Sequence, residues 1–506
     1  MSLQKINIPL NRVEGDLEIS VEIDSGFVTN AWSSGTMYRG FEGIMKGRSS
    51  LDGLVITPRI CGICSTSHLA AAALALDMAA EINPPPDAIR IRNIAQITEL
   101  LQSDIRHAFL MFAVDFVNHL YKSSPLFQEA LNRYEPFKGQ TIIQTIKETK
   151  KLLEIIAIIG GQWPHSTYMV PGGIASVPSP SDIRQCLLLL EQYKNWYEKR
   201  VLGCSIERIQ EIKTLVELNA WLEEKNSHWE SDLGFYLRFS RAMGFDKIGR
   251  AADTFLSYGA VPCPDNNSKD KSNFIPAGFF NENQLSEFDQ QNIKEHVACS
   301  WYMDYEGGKH PFEGETQPYA TGNESKKYSW VKAPRYKGLS AETGPLAEML
   351  FLNNPLIKDS INNKGASVFS RELSRILRST IYIPIMKKFL IEINENGQFY
   401  NPPGEIIEGE GYGLTHATRG ALGHWVKIQD GLIEHYQIIP PTTWNASPRD
   451  ANGVMGPIEK ALIGTPVQDI SNPVEIGHVI RSFDVCLVCS VHAIQRGKII
   501  GKTVLS

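Results

Sequence analysis

Cysteine is scarce in this chain: eight in 506 residues, at positions 61, 64, 186, 204, 263, 299, 486 and 489. That density excludes a small secreted scaffold stapled by disulfides. Long apolar runs are missing too. The best, such as 152–161 and 187–190, fall well short of the roughly 18–20 residues of a membrane span. Residues 1–11 carry no apolar segment behind a basic start, so no secretory signal is read there. The expected compartment is the cytoplasm, with any membrane association or export running through a partner. Basic charge is not in excess. Fifty Lys and Arg against 56 Asp and Glu leave a net charge of −6, which offers nucleic acid no electrostatic footprint. Glycine and proline, 40 and 28 residues, are too few for a collagen-like or linker-dominated chain. What is present is an ordinary globular balance, 42% hydrophobic and 21% charged. Length alone suggests about three domains at roughly 150 residues each.

Periodicity then sets the architecture. Residues 5–33 alternate as strands do, through Ile6, Ile8 and Leu10 and then Leu17, Ile19, Val21 and Ile23, with Asp24-Ser25-Gly26 as a hairpin turn. An Ala- and Leu-rich stretch predicts a helix over 64–82, stopped at Pro84-Pro85-Pro86. Helical spacing predicts a long buried helix over 88–122 and further helices over 142–159, 181–202, 206–224, 340–353 and 367–391. Residues 228–330, rich in Asn, Asp, Gly, Pro and aromatics, read as strands and loops. Residues 392–440 read as short strands with a turn-rich 408–413, and a last helix is expected over 456–462. No repeat of fixed period and no low-complexity linker divides the chain. The expected fold is α+β and predominantly helical, one unit with a long central helix bundle and peripheral strands.

Four of the eight cysteines form two pairs near opposite ends. Arg59-Ile60-Cys61-Gly62-Ile63-Cys64 is followed by His68, and Asp484-Val485-Cys486-Leu487-Val488-Cys489 by His492. Two thiolates three residues apart at a loop-to-helix junction can converge on one metal, and the unpaired N–H groups of a helix start favour the thiolate form. A structural zinc site also uses four cysteines. Zinc ribbons, however, join their pairs over about 15–20 residues, and here Cys64 and Cys486 stand 422 positions apart. A thioredoxin-like redox pair and two unrelated buried pairs are the remaining readings. Soft thiolates suit nickel, iron and zinc alike, so the ligands do not name the metal.

Both motifs resemble the signatures of the large subunit of [NiFe] hydrogenases, and the resemblance extends over nearly the whole chain. Arg12-Val13-Glu14-Gly15, Arg39-Gly40-Phe41-Glu42, the stretch from Gly160 to His165 with Pro171-Gly172-Gly173, and Lys332 to Tyr336 with Glu342 to Leu346 are similar to family stretches in the same order. So are Arg419 to Trp425 and Thr443 to Asp450. The resemblance implies the [NiFe] hydrogenase large-subunit fold and reversible heterolytic cleavage of H2, with uptake as the expected direction.

It also implies roles. Cys61 and Cys486 would be terminal ligands on nickel, and Cys64 and Cys489 would bridge nickel to an iron carrying one CO and two cyanides. Glu14 would carry the proton away; read without the family it is a strand-end glutamate. Arg419 would hang over the metals; read alone it is a buried ion-pair arginine. Asp484 would pair with Arg419. His68 would hydrogen-bond toward a bridging cysteine. Glu42 and His492 would help hold a buried Mg2+ or similar hard ion, with Glu342 a further candidate for that shell. Cysteines 186, 204, 263 and 299 are isolated and form no iron–sulfur pattern, so an iron–sulfur small subunit is the implied partner.

Departures from the family pattern are Val485 for the usual proline, Thr418 before Arg419, and Ser103 where some members have an aspartate. In the family, a tail such as residues 493–506 is removed by a dedicated endopeptidase once nickel-insertion proteins have acted. The expected working domain is therefore 1–492. Three rivals are set beside this reading: an H2-sensing regulatory subunit, a non-catalytic zinc-stabilised protein, and the related quinone-binding subunit of respiratory complex I. The last lacks the four cysteines.

Overall fold

The computed structural model describes residues 3–490 except 265–271, 283 and 323–324, and excludes the side chains of Cys489 and Ser490. The N-terminal alternation becomes an antiparallel meander of β1 (Gln4–Pro9), β2 (Leu17–Asp24) and β3 (Phe27–Gly35). Leu17, Ile19, Val21 and Ile23 all turn into the core, and Ser25-Gly26 makes the turn as predicted.

The helix predicted over 64–82 is α1 (Ser65–Ala79). The proline run that ends it also starts the next helix, α2 (Pro86–Arg106), because a first-turn proline gives up no needed N–H. The helix expected over 88–122 does not run through. Its backbone widens to a π turn over His107–Phe112 and tightens to 3-10 over Ala113–Val117. With α3 (Gln140–Gly160), α4 (Pro180–Trp196) and α6 (Val368–Glu392), introduced after α5 (Asp232–Met243) in chain order, α2 closes a ring of contacts α2–α3–α4–α6. This ring is the expected central bundle. The larger apolar core runs from Leu17 through the bundle to Leu487, and a smaller one gathers around Trp425 and Trp444. Among the described residues no helix is long and apolar enough to cross a membrane.

Further local expectations differ from the structure. The helix over 206–224 is split into Ile206–Gln210 and Leu215–Glu224, because Thr214 and Glu217 form a capping box that starts a new helix. The strand-and-loop reading of 228–330 misses α5: Leu233, Phe235, Leu237 and Phe239 alternate like a strand, yet Ser231 caps a helix buried on most of its surface. Beyond α5 the strands appear, β4 (Phe255–Pro262) and β5 (Asn273–Asn281). The helix over 456–462 is present as Pro457–Leu462 but is not the last, since α7 (Val474–Ser482) and the single turn Leu487–Ser490 follow.

Residues 408–413, expected as a turn, enter a strand. β6 (Gly409–Ala417), β7 (Gly420–Gln429) and β8 (Leu432–Ile439) form an antiparallel meander. Gly409, Gly411 and Gly413 lie against the carbonyls of Ala79, Ala75 and Ala71, one helical turn of α1 for each two residues of strand. A Cβ on Gly411 would sit 2.1 Å from the Ala75 carbonyl oxygen. Backbone cannot yield as a side chain does, so Gly411→Ala is expected to cost about 3 kcal/mol of stability, measured by denaturant unfolding. A loss within error of zero would show that the strand does not depend on this approach.

Candidate metal centre

The packing of β6 on α1 decides what meets at the site. The paired positions climb α1 toward its N-terminus as β6 runs forward, so the β6–β7 turn is delivered beside the start of α1. Thr418 and Arg419 occupy that turn, and Cys64 is the N-cap of α1.

Cys61 follows the short turn Thr57–Ile60, and its Sγ accepts from the Ile63 backbone N–H at 3.3 Å. Glu99, fully buried on α2, secures the first turn of α1. It accepts from the Thr66 N–H at 2.8 Å, the Ser67 N–H at 2.9 Å and the Ser67 hydroxyl at 2.7 Å. Burial pushes its carboxyl up to about 7, against those hydrogen bonds.

The second pair follows α7. Asp484 takes a left-handed backbone, φ 55°, and Cys486 precedes the turn Leu487–Ser490. The Glu14 backbone straddles Cys486: its N–H donates to the Val485 carbonyl at 3.3 Å, and its carbonyl accepts from the Leu487 N–H at 2.6 Å. Gly15 continues at φ 89°, where a Cβ would sit 2.9 Å from the Val488 nitrogen. The Cys486 N–H donates to Thr442 Oγ1 at 3.0 Å.

These contacts bring the two ends of the chain together. Cys61 Sγ and Cys486 Sγ are 3.6 Å apart, and the Sγ atoms of Cys61, Cys64 and Cys486, all buried, lie within 4.8 Å of one another. Two metal–thiolate bonds of about 2.3 Å each span the shorter distance. It is too long for a disulfide, whose S–S bond is about 2.05 Å. Three converging soft donors fit a thiophilic metal.

Arg419 is fully placed by its neighbours. Its Nε donates to Asp484 Oδ1 at 3.0 Å and its Nη1 to Thr418 Oγ1 at 2.9 Å. Burial works against its charge, but Asp484, Cys486, Cys64 and Cys61 outweigh burial and hold the guanidinium charged. The expected Arg419–Asp484 pair is therefore present. Asp484 has two further cationic neighbours: His107 Nδ1 at 2.9 Å from Oδ1 and Arg375 Nη1 at 3.2 Å from Oδ2. Burial pushes the Asp484 carboxyl up, but Arg419, His107 and Arg375 prevail and hold it far below the usual carboxylate range. His107 Nε2 faces the Arg481 carbonyl at 2.7 Å. Both ring nitrogens thus face acceptors, so the ring is an imidazolium.

The Glu14 carboxyl is half-buried. Burial and then the Cys61 charge raise its pKa, while Arg419 and Arg39 oppose them. His68, one turn into α1, places Nδ1 3.0 Å from His424 Nε2, and His424 Nδ1 is 2.9 Å from the Tyr436 hydroxyl. Glu42 sits apart from the thiols, accepting from the Ile438 N–H at 3.2 Å and the Thr316 hydroxyl at 2.5 Å. It lines a cleft of about 420 Å3 with Thr316 and Gln437. Glu342 gives both oxygens to Arg371, at 2.8 Å each. The Cys489 side chain and all of His492 lie outside the described residues.

Sequence reasoning missed His107, Arg375 and Glu99, and singled out the stretch Arg39 to Glu42 without giving Arg39 a role. One signal was available for Arg375. Arg371, Arg375 and Arg378 recur at core spacing on α6, an otherwise largely apolar buried helix, and such charges need buried partners.

Comparison with known proteins agrees with this centre. A family model described as nickel-dependent hydrogenase matches residues 39–126 and 140–492. The periplasmic [NiFeSe] hydrogenase large subunit of Desulfomicrobium baculatum is 32% identical, over 97% of this chain and 95% of that one. The uptake hydrogenase large subunit of Rhodobacter capsulatus is 30% identical, over 96% and 94%. The solved Ni-Fe-Se hydrogenase from D. vulgaris Hildenborough in the reduced state superposes with a TM-score of 0.83 at 31% identity, covering 97% of this chain and 100% of that one. The chain belongs to the nickel-dependent hydrogenase family.

Proposed function

We propose that this chain is the catalytic large subunit of a [NiFe] hydrogenase that splits H2 reversibly into two protons and two electrons, chiefly in the uptake direction. The observation that carries the reading is the convergence of three buried thiols, from both ends of the chain, beside Glu14 and beneath Arg419. The resident group is a nickel–iron pair, its iron bearing one CO and two cyanides, which supplies Lewis-acid and electron-accepting chemistry when bound.

Cys61 and Cys486 would hold nickel, and Cys64 and Cys489 would be shared with iron. Arg419 presents donors in a fixed fork over the reacting space, and Asp484 keeps that fork aimed. Glu14, beside Cys61, takes the released proton and passes it outward. His68 steadies the first cysteine loop through His424. Glu42 and His492 would hold a Mg2+ or similar hard ion, an assignment supported by the oxygen-lined cleft at Glu42. Electrons leave to an iron–sulfur small subunit.

We place the complex in the cytoplasm, associated with a membrane only through that partner. We treat 1–492 as one domain and 493–506 as a tail removed by an endopeptidase after nickel-insertion proteins have acted. The end of the family match at residue 492 supports that boundary.

The test uses the complex purified anaerobically with its small subunit. Nickel, iron in excess of it because the small subunit's clusters add their own, infrared bands of CO and cyanide, and H2-dependent dye reduction are expected. Zinc alone without those bands would overturn the reading in favour of a structural protein, and bands with negligible turnover would point to a sensor. Intact mass of the active chain is expected to end at His492. A terminus at Ser506 would overturn the cleavage.

A further inference from the structure

Arg39 precedes the helix Phe41–Met45, far in sequence from the second cysteine pair, yet its guanidinium bonds to both cysteine loops. Its Nη1 donates to the carbonyl of Ile60, beside Cys61, and at 3.2 Å to the carbonyl of Val488, 449 positions away and beside Cys489. Its Nη2 donates to the Arg59 carbonyl at 3.2 Å. The guanidinium lies over the Phe41 ring, its carbon 4.6 Å from the ring centroid. The loop at 485–488 is also held by the backbone of Glu14 and Gly15. That contact touches one loop only, whereas Arg39 ties the two together.

We infer that Arg39 is a positioning residue that clamps the two cysteine loops against each other and so sets how long the centre keeps its metal. A planar fork of donors can serve three carbonyls at once, whereas a lysine ammonium is a point charge on a flexible stem. The clamp adds directly to metal retention, because thiolates from two separate loops bind one centre only while the loops stay in register. The identity of the metal rests on the function proposed above; the clamping of the loops does not.

The experiment compares the wild-type complex with its Arg39→Ala, Arg39→Lys and Phe41→Leu forms. Amide hydrogen exchange is read over residues 58–64 and 485–488, and nickel release to a chelator is followed in parallel. In Arg39→Ala both loops are expected to exchange faster together, and nickel to leave at least about tenfold faster, the scale on which outer partners tune metal affinity. Added ethylguanidinium is expected to slow both processes. Arg39→Lys is expected to behave like Arg39→Ala without that rescue. Phe41→Leu keeps the guanidinium and is expected to fall between, so it decides the matter should Arg39→Ala not fold. Faster exchange in neither loop or in only one, or acceleration that ethylguanidinium does not reverse, would overturn the clamp. A wild-type complex without nickel would sink the proposed function instead, and the exchange data would still decide the role of Arg39.

Discussion

Cys486→Ser is expected to leave the centre without nickel and to bring H2 oxidation down to the background of a dye assay. Cys486 Sγ lies 3.6 Å from Cys61 Sγ, and a hydroxyl placed there is a harder donor that stays protonated where a thiol ionises. The loss should exceed the roughly 10–100-fold that removal of an outer partner costs. Size is nearly conserved and the loop is held by backbone contacts with Glu14 and by Thr442 Oγ1, so the fold should survive. Because bound metal itself stabilises the folded state, the two proteins are compared metal-free. Unfolding within about 1 kcal/mol of wild type is expected there. Elemental analysis together with dye-linked turnover checks the rest. Full nickel occupancy in the variant would remove Cys486 from the ligand set.

The thiols that converge were legible because cysteine pairs of this kind have local spacing: Cys61 with Cys64, and Cys486 with Cys489, whose side chain lies outside the described residues. Their surroundings were not, because the groups that tune them arrive from unrelated elements. Asp484 was visible beside Cys486, and its pairing with Arg419 was expected. Its other two neighbours come from the π turn after α2 and from the middle of α6. The same holds for Arg378, whose partners Asp104 and Glu348 lie on two further helices. Turn and strand signals failed where packing overrode local preference. Gly409, Gly411 and Gly413 look like a turn until α1 is laid against them. That packing is also what carries Arg419 to the thiols, so the misread strand shapes the candidate centre.

The electrostatic consequence follows from counting the neighbours of Asp484. Arg419, Arg375 and His107 all face this one carboxylate, while Glu372, 3.5 Å from both His107 and Arg375, balances part of their charge and leaves Arg419 as the cation nearest Cys61, Cys64 and Cys486. The Arg419 charge offsets negative charge on sulfurs buried away from water when they hold a metal. Asp484 in turn keeps Arg419 charged although burial opposes it. A cation held over the thiols by a carboxylate is therefore a built feature of the cavity and not an incidental ion pair.

Glu14→Gln is expected to lower H2 oxidation by roughly 100-fold or more, the scale of lost general-base catalysis, while nickel content and unfolding stay as in wild type. Glutamine preserves the shape of the side chain and the backbone pairing that brackets Cys486, so the loop is undisturbed. Only the ability to take a proton is lost. The half-buried site makes that ability useful: burial and the Cys61 charge raise the Glu14 pKa above that of a solvated carboxyl, which improves its match to a proton leaving near neutral pH. The sign of the pH dependence follows. A base must be ionised to accept, so wild-type oxidation should rise with pH through the Glu14 pKa and level off above it. That limb should vanish in Glu14→Gln. Glu14→Asp, which restores a carboxyl at shorter reach, should recover part of the rate and the limb with it. A Glu14→Gln enzyme retaining more than a small fraction of the rate, with the wild-type pH profile, would move the proton path to another group.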